Sequence, residues 1–375
     1  MAEPMSEQRL VGRFLTPKGW ISGQLVHDTH IRALESGSVA SGAPRIIPGF
    51  VDLHVPGGGG ADVMQGADAV RTAARLHARH GTTSFLPATV TAPQDVLSEA
   101  FSGIGVVQGA REPGEARVLG AHMEGPYINP RRLGAQPPHP REPDTEFVDS
   151  VCAGGIVRLV TIAPELEGAM DAIRRFAAAG IAVQIGHTEA DFDTVSDALA
   201  AGARGFTHLY NAMSPLHHRA PGTVGAALAL GEYAAIIPDG IHVADGAVRA
   251  ALRAIPKLFA VTDATAAAGM PDGPYPLGTH IVNKRGNSVF LGTDGNEDIL
   301  AGSALTMDRA FAHLLSLGLD VEDVSRRLSA YPADFIGRWD RGRIVPDAWA
   351  DFVILDDNDV ITSVVVEGEK ITLAD

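Results

Sequence analysis

Cysteine is almost absent from this sequence, since Cys152 is the single one in 375 residues. An internal disulfide needs two cysteines, so a disulfide-stabilised scaffold is excluded and a reducing compartment is favoured. Long apolar runs are also missing, because no stretch reaches the roughly 20 residues that span a bilayer. The opening segment, MAEPMSEQRL, lacks the basic start and apolar core of a signal peptide. We therefore expect a cytoplasmic, soluble protein.

Positive charge is scarce as well. The chain carries 30 Lys and Arg against 45 Asp and Glu, which gives a formal net charge of −15. Nucleic acids and anionic membranes bind basic surfaces, so neither is expected as a partner. A phosphorylated small molecule is still compatible with this charge if a few cationic groups converge locally. Because 45% of the residues are hydrophobic, a sizeable core is expected.

Strand-like and helix-like segments alternate through the middle of the chain. Apolar runs such as GFVDLH are followed by Ala-rich stretches such as DAVRTAARLHARHG, which predicts βαβ units and a parallel sheet. The strand candidates are 49–54, 82–89, 117–124, 158–165, 181–187, 203–211, 233–242 and 258–264. Eight such units predict a (β/α)8 barrel of the TIM type, with a doubly wound open sheet as the alternative.

The two ends of the chain differ from the middle in their residue pattern. Residues 1–47 and 340–375 contain short β-branched runs, such as ADFVILD and ITSVVVEGEKI, broken by turn residues. Because the two ends share this pattern of short β-branched runs, we predict that they fold together as one small β-sandwich domain. Residues 48–339 would then form the catalytic barrel.

Polar residues stand at the end of nearly every strand candidate. They are His54, Thr89, Glu124, Glu165, His187, His208, His242 and Asp263. In a parallel barrel the carboxyl ends of all strands meet at one face, where active sites are found. The pattern therefore predicts a functional site at this face.

His187, His208 and Glu124 are the candidate metal ligands. The two histidines are 21 residues apart, about one strand–helix–strand repeat, so they should lie on adjacent strands. Two imidazoles and one carboxylate, with a position left for water, form a common catalytic metal site. One histidine at a strand end is more often structural, but the set of three favours metal binding. Asp263 is either the N-cap of a following helix or a general base.

The segment VDLHVPGGGG places His54 at the end of the first strand candidate. Many metal hydrolases carry a second histidine two positions later, but Pro56 stands there and cannot bind a metal. His54 is then a lone ligand of a second ion, a group that holds water, or a residue that contacts the ligands. The glycines that follow lack the GK[ST] ending of a phosphate-binding P-loop, so they predict a mobile loop.

Taken together, the motifs resemble the N-acetylglucosamine-6-phosphate deacetylase family of the amidohydrolase superfamily. The motifs that carry the resemblance are PGFVDLH, HMEGPYINP, TIAPE, IGHTEAD, THLYNAM, PGTVGAAL, PDGIHV, VTDATAAAG and LAGSALTM. They follow one another in order from about residue 48 to 310. The combination of HLYNAM, HMEGP and VTDA is far more specific than any single histidine.

The resemblance implies a deformed (β/α)8 barrel, a homodimer, and hydrolysis of the N-acetyl amide of an amino-sugar phosphate. Glu124, His187 and His208 would bind one divalent ion, zinc or iron, with His54 available for a second. Asp263 matches the catalytic aspartate, Arg219 matches a phosphate-binding arginine, and His242 matches a histidine that reaches the phosphate from the neighbouring subunit. The positions that match substrate contacts are Ala135, Gln136, Asn211, Ala212, Leu300, Ala301 and Gly302.

Gln136 departs from the pattern of this family. The family usually reads KGAH where this chain reads LGAQ, so an amide replaces a histidine that contacts the scissile carbonyl. An amide can donate a hydrogen bond to that oxygen but cannot carry a positive charge. Three alternatives therefore stay open: another N-acyl sugar phosphate, a cyclic amide, or a sugar-phosphate binding protein without catalysis.

Overall fold

The computed structural model describes residues 6–292 and 299–373. The strands in this part of the chain are β1 Gln8–Thr16, β2 Gly19–His27, β3 Ile31–Ser36, β4 Arg45–Pro48, β5 Phe50–Val55, β6 Gly57–Gly58, β7 Ala61–Asp62, β8 Thr82–Thr89, β9 Arg117–Val118, β10 Ala121–Glu124, β11 Val157–Ile162, β12 Ala182–Ile185, β13 Gly205–Phe206, β14 Tyr233–Ile236, β15 Lys257–Ala260, β16 Gly273–Leu277, β17 His280–Arg285, β18 Ser288–Leu291, β19 Phe352–Leu355, β20 Ile361–Val366 and β21 Glu369–Ile371. The helices are α1 Ala67–Arg79, α2 Gln94–Gly109, α3 Thr145–Gly154, α4 Ala169–Ala178, α5 Phe192–Ala201, α6 Gly222–Leu230, α7 Asp245–Ala254, α8 Met307–Ser316, α9 Val321–Ser325 and α10 Tyr331–Phe335, with short helical turns at Val63–Gln65 and Arg326–Ala330.

The central element is a curled parallel sheet. Strands β5, β8, β10, β11, β12 and β13 pair in that order, and β14 pairs with β15. The carbonyl of Ala235 accepts from Leu209 N at 2.8 Å, and the carbonyl of His54 accepts from Asp263 N at 2.9 Å, which connects the remaining edges. The spatial order follows the chain order without the reversal of a doubly wound sheet. The predicted barrel architecture is confirmed.

The barrel strands are buried on both faces. Every residue of Phe50–Val55 and of Thr82–Thr89 is buried. A parallel sheet covered by helices needs such continuous apolar runs rather than alternating ones. Helix α1 supplies part of the cover by burying Val70, Ala73 and Ala74 along one face.

Both ends of the chain contribute to a second, mixed sheet. Its seven strands within the described residues lie in the order β21, β20, β19, β4, β1, β2, β3. Strand β19 runs antiparallel to β4, with Phe352 opposite Pro48. A separate apolar cluster that includes Phe14, Leu25 and Phe352 packs on this sheet. The joining of the two ends is confirmed, while the boundaries 1–47, 48–339 and 340–375 stay a prediction.

A buried ionic cluster connects this sheet to the barrel. Arg341 Nη1 donates to Asp351 Oδ2 at 2.6 Å, and its other terminal nitrogen donates to Glu367. Arg117, from the barrel side, donates to Glu367 Oε2 at 2.6 Å. Burial alone would raise the pKa of Glu367, but the two guanidinium groups outweigh it and lower the pKa to about 2.

The glycine-rich segment after β5 is an ordered hairpin rather than the mobile loop that we expected. Strand Gly57–Gly58 pairs with Ala61–Asp62, and Gly57 N donates to Ala264 O at 2.7 Å. A Cβ at Gly57 would lie 2.5 Å from Ala61 O, so only glycine permits this approach. None of the helices described in residues 6–292 and 299–373 combines the length and the apolar character that a membrane span requires.

Candidate active site

A cavity of about 320 Å³ opens at the carboxyl ends of the barrel strands. Most of the residues predicted from the sequence line it together. They are Glu124, Ala135, Gln136, His187, His208, Asn211, Ala212, His242, Asp263, Leu300 and Gly302. Five of the eight strand-end polar residues therefore converge at this cavity, namely Glu124, His187, His208, His242 and Asp263.

The three predicted ligands place their polar atoms against one another. His187 Nε2 and His208 Nε2 lie 3.0 Å apart, and Glu124 Oε1 lies 3.3 Å and 3.2 Å from these two nitrogens. Ligands on a tetrahedral zinc at about 2.0–2.1 Å would be about 3.3 Å apart, so the spacing fits one divalent ion. All three residues are buried. The donor set and its spacing thus fit the ion that the sequence predicts.

Hydrogen bonding fixes which nitrogen of His187 faces the cavity. Its Nδ1 lies 2.7 Å from the carbonyl oxygen of Arg132, which can only accept, so Nδ1 carries the hydrogen. Nε2 is then left with its lone pair, as a metal ligand requires. This backbone partner was not predicted, because a carbonyl leaves no residue-type signal in a sequence.

Three of the chemically important residues have left-handed backbone conformations. The φ angles of His187, His208 and Asp263 are 49°, 29° and 51°. Such values cost a non-glycine residue on the order of 1–3 kcal/mol and concentrate at functional sites. Each residue follows a barrel strand and lines the cavity, so the unusual backbone conformations occur at the site itself.

His54 lies beneath the cavity between two carboxylates. Its Nε2 is 3.3 Å from Glu124 Oε2 and 3.3 Å from Asp263 Oδ1. Burial would lower the pKa of His54, but the charges of Glu124 and Asp263 outweigh it and raise the pKa to about 9. His54 therefore contacts both a ligand and the candidate base.

Asp263 is held rigidly at the end of its strand. Its backbone N–H donates to His54 O, and its carbonyl accepts from Ser303 N at 2.7 Å. Burial raises the pKa of the Asp263 carboxyl, with the charge of nearby Glu124 adding to the rise and His54 opposing it. A carboxyl with a raised pKa is suited to accept and return a proton near neutral pH.

Gln136 is tied to the metal-binding carboxylate. Its Nε2 donates to Glu124 Oε2 at 2.5 Å, and its Oε1 accepts from Thr91 N at 2.7 Å. The sequence predicted a substrate contact, and the residue does line the cavity. Its contact with Glu124 was not predicted.

His242 lies in the cavity of its own chain, which differs from the expectation that it serves a neighbouring subunit. Its Nδ1 is 2.6 Å from Asp239 Oδ2, three residues earlier in the PDGIH segment. Burial would lower the pKa of His242, but the hydrogen bond and charge of Asp239 outweigh it and raise the pKa. The spacing of these two residues in the sequence could have indicated the pair.

Besides His54, two predicted residues lie outside the cavity lining in the described part of the chain. Arg219 is exposed and borders a separate surface depression with Glu189 and Asp191. Ala301 is buried in a small apolar cluster beside Leu277. Their substrate contacts stay predictions.

Glu165 was predicted only as a polar strand end. Its carboxylate accepts from Asn129 Nδ2 at 2.8 Å, from Thr188 Oγ1 at 2.5 Å and from Glu189 N at 2.7 Å. These bonds fix the backbone on both sides of the site, because Asn129 N also donates to His187 O. Glu165 therefore supports the position of a ligand without lining the cavity.

The fold and the site agree with a known class of hydrolases. A model of the amidohydrolase family matches residues 45–371, nearly the whole chain. The chain therefore belongs to the amidohydrolase family.

Relatives within this family are more specific. The N-acetylglucosamine-6-phosphate deacetylase of Bos taurus is 37% identical over 96% of this chain and 92% of its own length. The N-acetylgalactosamine-6-phosphate deacetylase of Escherichia coli O157:H7 is 36% identical over 95% of this chain and 97% of its own. A mutant of the Mycobacterium smegmatis N-acetyl-D-glucosamine-6-phosphate deacetylase, solved in complex with N-acetyl-D-glucosamine-6-phosphate, has a TM-score of 0.89 and 33% identity, with 98% and 100% of the two chains covered. The resemblance to the N-acetylglucosamine-6-phosphate deacetylase family is thereby confirmed.

Proposed function

We propose that this chain hydrolyses the N-acetyl amide of N-acetylglucosamine 6-phosphate to glucosamine 6-phosphate and acetate. The observation that carries the proposal is the convergence of Glu124, His187 and His208 with Asp263 in one cavity. Relatives named as deacetylases of this substrate cover nearly the whole chain. The amino-sugar phosphate is small and fits a cavity of this size class.

Glu124, His187 and His208 would hold one divalent ion, zinc or iron. Bound there, such an ion supplies Lewis acidity that polarises the amide carbonyl and acidifies water. The chain's own contribution is to keep all three ligands buried and oriented. A second ion beside His54 is a lesser alternative, because His54 already faces both Glu124 and Asp263.

Asp263 performs the proton transfers in this mechanism. Its carboxylate takes a proton from the attacking water while the water oxygen forms a bond to the carbonyl carbon. The same carboxyl then gives that proton to the amide nitrogen as the C–N bond breaks, so acetic acid and a free amine are released, and the acid loses its remaining proton to become acetate. Gln136 has a second N–H besides the one bonded to Glu124, and we assign it to the developing oxyanion.

His242 and Arg219 are the proposed phosphate partners. His242 lines the cavity, whereas Arg219 is exposed outside the cavity of its own chain. We therefore propose a homodimer in which Arg219, rather than His242, reaches the site of the second copy. A cytoplasmic location is part of the same proposal.

The dimer proposal can be tested by mixing two inactive variants, Arg219→Ala and Asp263→Asn. A mixed dimer would contain one site with both residues intact if Arg219 acts on the partner's site. Activity should then reappear after the two variants are unfolded and refolded together. If Arg219 acts within its own chain, no mixture restores a complete site and activity stays low.

The function itself is tested by acetate release from a panel of substrates. Protein loaded with Zn²⁺ or Fe²⁺ is assayed with N-acetylglucosamine 6-phosphate, its galactosamine epimer, unphosphorylated N-acetylglucosamine and, separately, a cyclic amide. We expect the phosphorylated glucosamine to have the highest kcat/KM. Binding of the phosphosugar without acetate release would indicate a non-catalytic protein, and ring opening of a cyclic amide would indicate the other alternative.

The galactosamine epimer is a second candidate substrate. A relative named for deacetylation of N-acetylgalactosamine 6-phosphate is 36% identical, nearly as similar as the glucosamine relatives. A higher kcat/KM for the epimer would move the proposal to that substrate while leaving the reaction unchanged.

A further inference from the structure

The side-chain amide of Gln136 is fixed from both ends. Gln136 Oε1 accepts from the backbone N–H of Thr91, and Gln136 Nε2 donates to Glu124 Oε2. A backbone N–H can only donate, so the carbonyl end of the amide must face Thr91. The NH2 end can only donate, and it faces a carboxylate, which can only accept when ionised. The amide therefore has one satisfactory orientation.

Glu124 divides its two oxygens between different partners. Oε1 faces the two imidazole nitrogens of His187 and His208 at 3.3 Å and 3.2 Å. Oε2 faces Gln136 at 2.5 Å and His54 at 3.3 Å. The two sides of the carboxylate are therefore not equivalent, and rotation of the group would separate Oε2 from its amide donor.

The contact between Gln136 and Glu124 is largely shielded from bulk solvent, although both residues line the cavity. Gln136 is 9% exposed and Glu124 is 3% exposed. Hydrogen bonds to an ionised carboxylate are about twice as strong as neutral ones, and a buried carboxylate without its partners is costly. Because Gln136 bonds Oε2 and not Oε1, the bond favours one orientation of the Glu124 carboxylate.

We propose that Gln136 is a positioning residue that holds Glu124 so that Oε1 alone faces the ion site. The inference rests on the ion site of the proposed function and names the residue that sets its carboxylate geometry. Partners that hydrogen-bond a metal-binding side chain usually contribute a factor of about 10–100 to metal affinity. The role is separate from any contact that the second N–H makes with a substrate.

The test replaces Gln136 with Met, which is also unbranched and similar in length but has no amide donor or acceptor. The matched control is Gln108→Met. The Gln108 side chain also donates a partly buried hydrogen bond, to Leu119 O at 3.1 Å, but it lies away from the cavity. Zn²⁺ affinity is measured by competition with a chromophoric chelator. We expect the Kd to rise about 10- to 100-fold for Gln136→Met and to stay unchanged for Gln108→Met.

A spectroscopic readout separates positioning from general destabilisation. Both variants and the parent are loaded with Co²⁺, whose visible absorption weakens when its coordination number rises above four. If Glu124 becomes free to bind through both oxygens, the Gln136→Met spectrum should weaken relative to the parent at full Co²⁺ loading. The Gln108→Met spectrum should match the parent.

Three results would overturn the inference. Equal Zn²⁺ affinity of the parent and Gln136→Met would remove Gln136 from this role while leaving the proposed hydrolysis intact. Equal losses in Gln136→Met and Gln108→Met would mean a nonspecific effect on folding. Failure of the parent chain to bind Zn²⁺ or Co²⁺ would overturn both the inference and the ion site on which it rests.

Discussion

The Nε2 atoms of His187 and His208 lie 3.0 Å apart in a buried site. Two imidazole lone pairs cannot approach this closely without a proton or a cation between them. Because Nδ1 of His187 is bonded to a carbonyl oxygen, its Nε2 is free to face a cation. A cation is therefore expected between the two imidazoles.

Removal of the ion with a chelator should abolish acetate release, and added Zn²⁺ or Fe²⁺ should restore it. Added Zn²⁺ should also raise the thermal unfolding midpoint, because it binds the folded state and not the unfolded chain. His187→Ala should lose both effects, whereas His139→Ala, at an exposed loop position, should keep both. A Zn²⁺-dependent midpoint in His187→Ala equal to that of the parent would contradict the ligand assignment.

Asp263→Asn should bind Zn²⁺ and substrate but lose turnover by about 100- to 10,000-fold, because an amide cannot accept the proton. Steady-state acetate release measures turnover, and titration calorimetry with the substrate measures binding. The control is Asp357→Asn, the same substitution at an exposed position of the mixed-sheet unit. Substantial residual activity in Asp263→Asn would exclude Asp263 as the base.

Asp239→Asn should weaken phosphosugar binding at neutral pH. In the parent, Asp239 raises the pKa of His242, so the imidazolium persists to higher pH and KM rises only as the pH passes that raised value. Without the carboxylate, the pKa falls and the rise in KM should shift to lower pH. Measuring KM of the parent and of Asp239→Asn from about pH 5.5 to 9 tests whether the rise in KM shifts. Identical pH profiles for KM in parent and variant would show that His242 does not bind the phosphate.

Glu367→Gln should destabilise the fold by about 3 kcal/mol at neutral pH, because Arg341 and Arg117 lose a buried carboxylate partner. The pKa of Glu367 is lowered to about 2 in the folded state from a usual value of 4.5. Its contribution is therefore complete above about pH 4.5 and is lost as the pH falls towards 2. Urea unfolding at several pH values should show the two proteins converging in acid. A difference independent of pH would contradict the assignment.

Gly302→Ala should impair both folding and activity. Gly302 has a φ of +55°, and an added Cβ would lie 2.6 Å from Thr265 Cγ2 and 2.9 Å from Asp263 O. The change would therefore displace the candidate base. Gly318→Ala is a matched control, since Gly318 also has a positive φ, of +90°, but no described atom lies within 4 Å of the added carbon. Comparable losses of kcat in both variants would mean that backbone strain alone, and not displacement of Asp263, is responsible.

The repeat of strands and helices could be predicted from the sequence, because parallel strands buried on both faces need continuous apolar runs that are visible without a structure. The sequence also indicated Glu124, His187, His208 and Asp263, since each follows such a run and the ends of barrel strands share one face. The orientation of these groups became apparent only in the folded chain. The carbonyl of Arg132 orients His187, and His54 lies between two carboxylates, so these contacts join residues far apart in the chain. The amide of Gln136 reaches Glu124, 12 residues earlier, only because the intervening loop folds back over the site. Backbone partners and side-chain rotations of this kind depend on packing between distant segments, which no local pattern records. The position of His242 within its own cavity and the exposure of Arg219 were decided in the same way.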